Sequence, residues 1–215
     1  MATLQEEGDE WAKRIIFSDE KWFYLIQSSN RKNNVYWSME NPHILDEVKR
    51  QGGVKVMCWA GVGDGKILPL HWFEGSVTEN TYLNMLKEKV WPALKGFATK
   101  KCLWFQQDGA RVHTANSCLK FLQEKFPGRE ISNRLDYEWP PYSADVSMLD
   151  FWFWGQAQQE VYKAKPKSIE ELKNVVERFA KGQKMETILR AANNFVKRAK
   201  LCVEQEGGHF EHLLK

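Results

Sequence analysis

Lys13-Arg14-Ile15-Ile16-Phe17-Ser18-Asp19, residues 13–19, is the stretch from which the chain is best read. The apolar run from Lys13 to Phe17 is short and continuous, which suits a buried strand, and it delivers an acid, Asp19, just past its end. The same arrangement returns at Lys101 to Gln107, a second buried-strand run that ends on Asp108. Between the two, Val54 to Val62 reads as a strong strand, the turn Gly63-Asp64-Gly65 follows, and Ile67 to Phe73 returns as the second arm of a hairpin. A further strand is expected at Val35 to Trp37.

Helical spacing fills the intervals. Thr78 stands where a helix N-cap belongs, and Tyr82, Leu83, Leu86 and Val90 recur at helical period before Pro92. Thr114 to Lys125 repeats the pattern through Cys118, Phe121 and Leu122 until Pro127-Gly128 stops it. Trp139-Pro140-Pro141-Tyr142 is a rigid loop, and helix is expected from about Ser147 through Trp154 to Val161, which puts Asp150 in its early turns. Beyond Pro166, Ser168 and Glu171 form a capping box, and helices fill most of the tail. Strands first, then strand alternating with helix, then helices imply a mixed β-sheet flanked by α-helices; the class is α/β or α+β, and α/β is the reading adopted.

The length of 215 residues suits one compact domain, spanning 11–215 after a polar tail or linker remnant over 1–10. With 43% hydrophobic and 27% charged residues the chain is neither a disordered nor a membrane sequence. A net charge of +3 is too small to establish a nucleic-acid partner, but its distribution is uneven. Val161 to Lys200 holds eleven Lys and Arg against four Glu and no Asp, a candidate phosphate-facing surface or a solvated helical face. Cys58, Cys102, Cys118 and Cys202 show no Cys-x-x-Cys pair, which argues against a zinc site and a disulfide framework. No apolar stretch is long enough for a bilayer crossing and the polar start lacks a signal peptide, so a soluble intracellular protein is expected.

Two acids that follow strands and a third that opens a helix are placed to converge at one edge of a sheet. Crowded carboxylates repel, and a divalent cation is what neutralises such a cluster. Hard oxygen donors select magnesium or manganese over zinc. No Gly-x-Ser-x-Gly elbow and no phosphate-binding glycine loop with Lys and Ser or Thr is present to offer another chemistry.

Four blocks carry a resemblance. FSDEKWF (Phe17 to Phe23), WFQQDGARVHTA (Trp104 to Ala115), WPPYSADVSMLDFWFWG (Trp139 to Gly155) and GGHFEHLL (Gly207 to Leu214) resemble, in order and separation, successive blocks of the Tc/mariner transposase superfamily. The resemblance implies an RNase H-like fold, a DDE/D triad holding Mg2+ or Mn2+, and cut-and-paste endonuclease and strand-transfer chemistry on DNA. Its acids map onto Asp19, Asp108 and Asp150. It further implies a homodimer, through a clamp-like insertion at about 30–53, and work in the nucleus; a solvent-exposed loop is the alternative for that segment.

Neighbouring residues qualify the mapping. Glu20 competes with Asp19 but, as its strand neighbour, faces the other way. Asp145 competes with Asp150 but shapes the loop before the helix, and Asp64 belongs to a tight turn. His113 is read as a satisfied structural group with a catalytic role as the alternative, and His209 and His212 as packing. Trp104, Trp139, Trp152 and Trp154 are read as core or loop anchors rather than base-stacking platforms.

The chain also departs from the pattern. Ala144 and Met148 replace two prolines, which relaxes the loop presenting Asp150, and 41 residues separate Asp108 from Asp150, more than the commonest mariner spacing. The paired helix-turn-helix modules of the family lie outside the chain, so DNA contacts are expected to be to phosphates with little sequence discrimination. A domesticated remnant that binds DNA or protein without turnover is the second reading, and an RNase H-like nuclease of RNA–DNA hybrids a third that the remaining blocks disfavour.

Overall fold

The computed structural model describes residues 9–25, 53–97, 100–141 and 143–214. The expected strand at Val35 to Trp37, the clamp-like segment but for Gly53, and most of the polar tail lie outside these residues. A short helix α1 (Asp9–Ala12) leads into β1 (Ile15–Tyr24), the central strand of a mixed sheet. β1 runs antiparallel to β2 (Lys55–Gly63) and parallel to β5 (Trp104–Gln106). β2 also pairs with β3 (Lys66–Ile67) and β4 (His71–Phe73), and β5 pairs in parallel with β6 (Glu130–Ile131).

Two expectations change in detail, and one strand was not expected. β1 does not stop at Phe17 but continues to Tyr24, in register with β2 from Phe17 opposite Val62 to Tyr24 opposite Lys55, so Asp19 lies inside the strand. Its second half was not legible as an apolar run because its residues are only partly covered, and only Phe23 is fully buried there. The run from Ile67 to Phe73 is two short strands, since Pro69 between them has no N–H to offer a ladder. β6 carries no periodic signal in its two residues. The Asp64–Gly65 turn has positive φ at both positions (50° and 68°), the geometry of a tight hairpin turn, which confirms Asp64 as structural.

Alternation along β1 and β5 builds two cores. Ile15, Phe17 and Phe23 face a core made with Trp152, Trp154, Leu172, Val176 and Phe195, from the helices α4 (Gly155–Ala164), α5 (Ile169–Lys181) and α6 (Met185–Glu204) and the stretch before them. Ile16, Trp59 and Phe105 face a second core with Tyr82, Leu86, Cys118 and Leu122, from α2 (Glu79–Met85) with its extension and α3 (Asn116–Lys125). Thr78 caps α2 in a box with Thr81. The helix then widens to a π turn at Leu86–Val90, with Trp91 N–H bonded back to Leu86 O, and passes Pro92 to end at Ala93. Ser168 caps α5 by accepting from Glu171 N–H, while the Glu171 carboxylate returns to Lys167 N–H, one residue earlier than a capping box requires. Trp104, Trp139, Trp152 and Trp154 are all buried, as core anchors are.

β2 approaches β1 so closely that a Cβ on Gly63 would lie 2.1 Å from the Ile15 carbonyl oxygen, so only glycine fits. Gly155, by contrast, sits in helix with open space around it. Urea unfolding is expected to show Gly63→Ala destabilised by roughly 2–3 kcal/mol and Gly155→Ala unchanged or stabilised by up to about 1 kcal/mol. Equal effects of the two would contradict the close approach.

Candidate active site

Asp19, Asp108 and Asp150 line one open pocket of about 370 Å³, with Asn133, Ser147 and the Trp139-Pro140-Pro141 loop among its walls. Each reaches it from a different element. Asp19 stands mid-strand in β1 opposite Ala60, on the face of Phe17 and Phe23. Asp108 lies two residues past the end of β5. Asp150 is on a π-helical stretch, Leu149–Trp154, that runs directly into α4. π turns are rare and recur at functional sites.

The same stretch holds Asp19. The Trp154 indole N–H donates to Asp19 Oδ2 at 2.7 Å, so one helix presents the third acid and fixes the first. Burial, then the charges of Asp150 and Glu20, push the Asp19 carboxyl up to about 7, against the bonds from Trp154 and the Glu20 backbone. Burial raises Asp150 as well, with Asp108 adding repulsion, while the Ser147 hydrogen bond and the Lys21 charge oppose the shift.

Asp108 is compensated in a different way. Burial disfavours its charge, but hydrogen bonds from the His113 ring at 2.5 Å and Ala110 N–H at 3.0 Å outweigh it and lower its pKa. His113 is buried and its other ring nitrogen lies 3.2 Å from Glu20 Oε1. Burial disfavours the charged ring, yet the Glu20 charge and the hydrogen bonds to both acids lift it to about 10. Glu20 therefore does face away from Asp19, as strand alternation requires, and meets His113 on the other side of β1. The structural reading of His113 holds for its burial; its partners are acids, one of them lining the pocket.

Sequence reasoning missed the frame around this histidine. Tyr82 packs its ring 4.3 Å from that of His113 and donates through Oη to Gln107 Oε1 at 2.8 Å. Gln107 Nε2 donates to the His113 carbonyl and to Ser132 Oγ. Tyr82 reads as one more apolar position of a helix, and only the adjacency of Gln107 to Asp108 hints at its place. Asp145 acts through its backbone, its carbonyl accepting from Arg198 at 2.6 Å. His209 and His212 are exposed and stack on each other at 5.4 Å.

The donor set fits a hard divalent cation: three carboxylates on one pocket, two with pKa raised by burial and, secondarily, by acidic neighbours. Among the described residues, no group of three or more His, Cys, Asp or Glu is drawn close enough to hold a metal by itself. The acids share a pocket without closing a cage, and Asp108 is turned onto His113.

Comparison with known proteins bears on which chemistry this is. No family model matches the chain. A Tc3 transposase from Caenorhabditis elegans is 29% identical over 156 residues, 72% of this chain and 44% of that protein. By sequence the chain is similar to a Tc3 transposase, in line with the Tc/mariner resemblance of its four blocks. Solved structures of Mos1 mariner transposase share its fold: a paired-end complex with the left transposon end superposes with TM-score 0.79 at 19% identity, covering 98% of this chain and 60% of that one. The paired-end complex with Mn gives 0.80 at 18% with the same coverage. The Mos1 catalytic domain alone gives 0.74 at 16%, covering 98% and 89%. The chain thus spans less than half of its Tc3 relative and about three-fifths of the complexed Mos1 chains, but matches the catalytic domain in extent. The sheet and its flanking helices are RNase H-like, as the Tc/mariner blocks implied.

An acid whose native pKa is raised holds its proton more tightly folded than unfolded, so it favours folding at acid pH and costs stability as pH rises from about 4 to about 7. With chelator present, Asp19→Asn is expected to remove that decline and to stabilise the protein at pH 8 by roughly 2 kcal/mol. Chemical unfolding at pH 5 and pH 8 measures it; a variant less stable than the parent at pH 8 contradicts the assignment.

Proposed function

We propose that the chain is a metal-dependent DNA-cleaving and strand-joining domain in which Asp19, Asp108 and Asp150 hold Mg2+ or Mn2+. The observation that supports this most is the arrival of three acids from three separate elements at one pocket. Mos1 structures include complexes with transposon ends and with Mg or Mn, which favours the same class of substrate and cation here. When bound, such cations polarise a scissile phosphate and lower the pKa of an attacking water or 3′ hydroxyl.

The chain's own residues supply position. Trp154 fixes the Asp19 oxygen, Ser147 orients Asp150, and Ala110 N–H with His113 orients Asp108. Lys21 faces Asp150 and tempers its repulsion from the other acids. Trp139, Pro140 and Pro141 give the pocket a stiff wall beside them. The basic stretch from Val161 to Lys200, on α4, α5 and α6, is the surface for phosphate contact. The reading includes a homodimer and a nuclear site of action, by analogy with the superfamily.

Purified protein is expected to nick supercoiled plasmid with Mg2+ or Mn2+ and not with chelator. Asp108→Asn and Asp150→Asn are expected to abolish nicking while leaving the melting temperature within a few degrees of the parent. Nicking that survives either substitution overturns the triad. DNA binding without nicking by the parent protein favours the domesticated remnant instead.

A further inference from the structure

Glu20 is the acid that the catalytic assignment leaves unused, and it is a costly residue to leave without purpose. Its side chain is 12% exposed, on the opposite face of β1 from Asp19. A buried carboxylate is tolerated when it is paired. Its partner is the His113 Nε2 at 3.2 Å, and the same ring reaches Asp108 through Nδ1 at 2.5 Å. Ionised carboxylates only accept hydrogen bonds, so a ring lying between two of them donates from both nitrogens. The exposures of the three groups are unequal: the Asp108 side chain is 50% exposed and that of His113 only 3%. A half-exposed acid is thus tied to a buried ring, which Tyr82 packs against, while Gln107 donates to the carbonyl of the same residue.

We propose that Glu20 and His113 form a relay that sets the orientation of Asp108: Glu20 fixes the plane of the ring, and the ring fixes one carboxylate oxygen so that the other is free for the pocket. Both are positioning residues. The proposal rests on the reading of Asp108 as a metal ligand for its consequence, but its geometry does not depend on that reading. Groups that orient metal ligands in this way carry a measurable share of metal affinity.

Two measurements test it. In metal-free protein labelled with 15N-histidine, the parent is expected to show hydrogen-bonded ring protons on both nitrogens of His113; Glu20→Ala loses the Nε2 signal and displaces the Nδ1 signal. Mn2+ binding, followed by the paramagnetic resonance of free Mn2+, is expected to weaken about tenfold in Glu20→Ala and in His113→Gln, and no further in the double variant. Glu20→Gln, which keeps an acceptor for Nε2, restores binding to near the parent value. If Glu20→Ala does not fold, Glu20→Asp, one methylene short of the ring, gives the same weakening.

An Nδ1 signal unmoved by Glu20→Ala overturns the relay. So does parental Mn2+ affinity in Glu20→Ala, or a Glu20→Gln as weak as Glu20→Ala. If the parent binds no Mn2+ while the two ring signals remain coupled, the relay stands and the metal reading of the site fails.

Discussion

Adjacent side chains on a strand cannot share a face, and in β1 that rule falls on two carboxylates. Asp19 is sent to the pocket and Glu20 to the opposite side of the sheet, so neither can substitute for the other. The two cores follow the same alternation, Phe17 on one side and Ile16 on the other. Slipping β1 by one residue against β2 would exchange the acids and invert both cores at once. The close approach of Gly63 to the Ile15 carbonyl resists that slip, because the neighbouring positions, Val62 and Asp64, carry side chains that the contact has no room for.

Bringing three acids to one pocket costs electrostatic free energy, and each of them meets that cost differently. Asp19 is buried beside Asp150 and Glu20, and the indole N–H of Trp154 does not offset this, so its proton affinity rises. Asp108 has a ring donor and a backbone donor, so its proton affinity falls. The environments of two carboxylates on one pocket are thereby driven apart, an asymmetry characteristic of sites that do chemistry. Repulsion between Asp19 and Asp150 is the part left uncompensated, and it is the part a divalent cation removes.

What the sequence displays and what it conceals follow from this physics. Asp108 was legible because the apolar strand before it is buried on both faces, and continuous apolar runs are visible without knowing the fold. The extent of β1 was not, because its second half is covered unevenly and mixes Lys21 and Glu20 with Trp22 and Phe23. Asp19, expected just past a strand, lies inside it. His113 illustrates a deeper limit: its partners lie five residues away at Asp108 and 93 residues away at Glu20, and no local pattern encodes the second contact. Tyr82 and Gln107 were hidden for the same reason, since a hydroxyl at the tip of a core ring looks, in sequence, like any other apolar helix position.

The third acid shows how a lost local device is replaced by packing. Prolines would stiffen the loop before Asp150 through its backbone, and Ala144 and Met148 cannot. Here Ser143 Oγ donates to the Pro140 carbonyl at 2.7 Å, and Val146 and Ser147 N–H both return to the Ser143 carbonyl. Arg198, from α6, donates to the Asp145 carbonyl and bonds Glu211 beyond it, so the loop is tied to the C-terminal helix as well. Met148 is fully buried, and Leu149, Phe153 and Trp154 bury the stretch that follows. Asp150 projects from a segment in which Leu149, Trp152, Phe153 and Trp154 are buried, and Trp154 also holds Asp19. What constrains the acid here is therefore side chains packed under the helix and hydrogen bonds within the loop, not φ angles fixed by proline at 144 and 148.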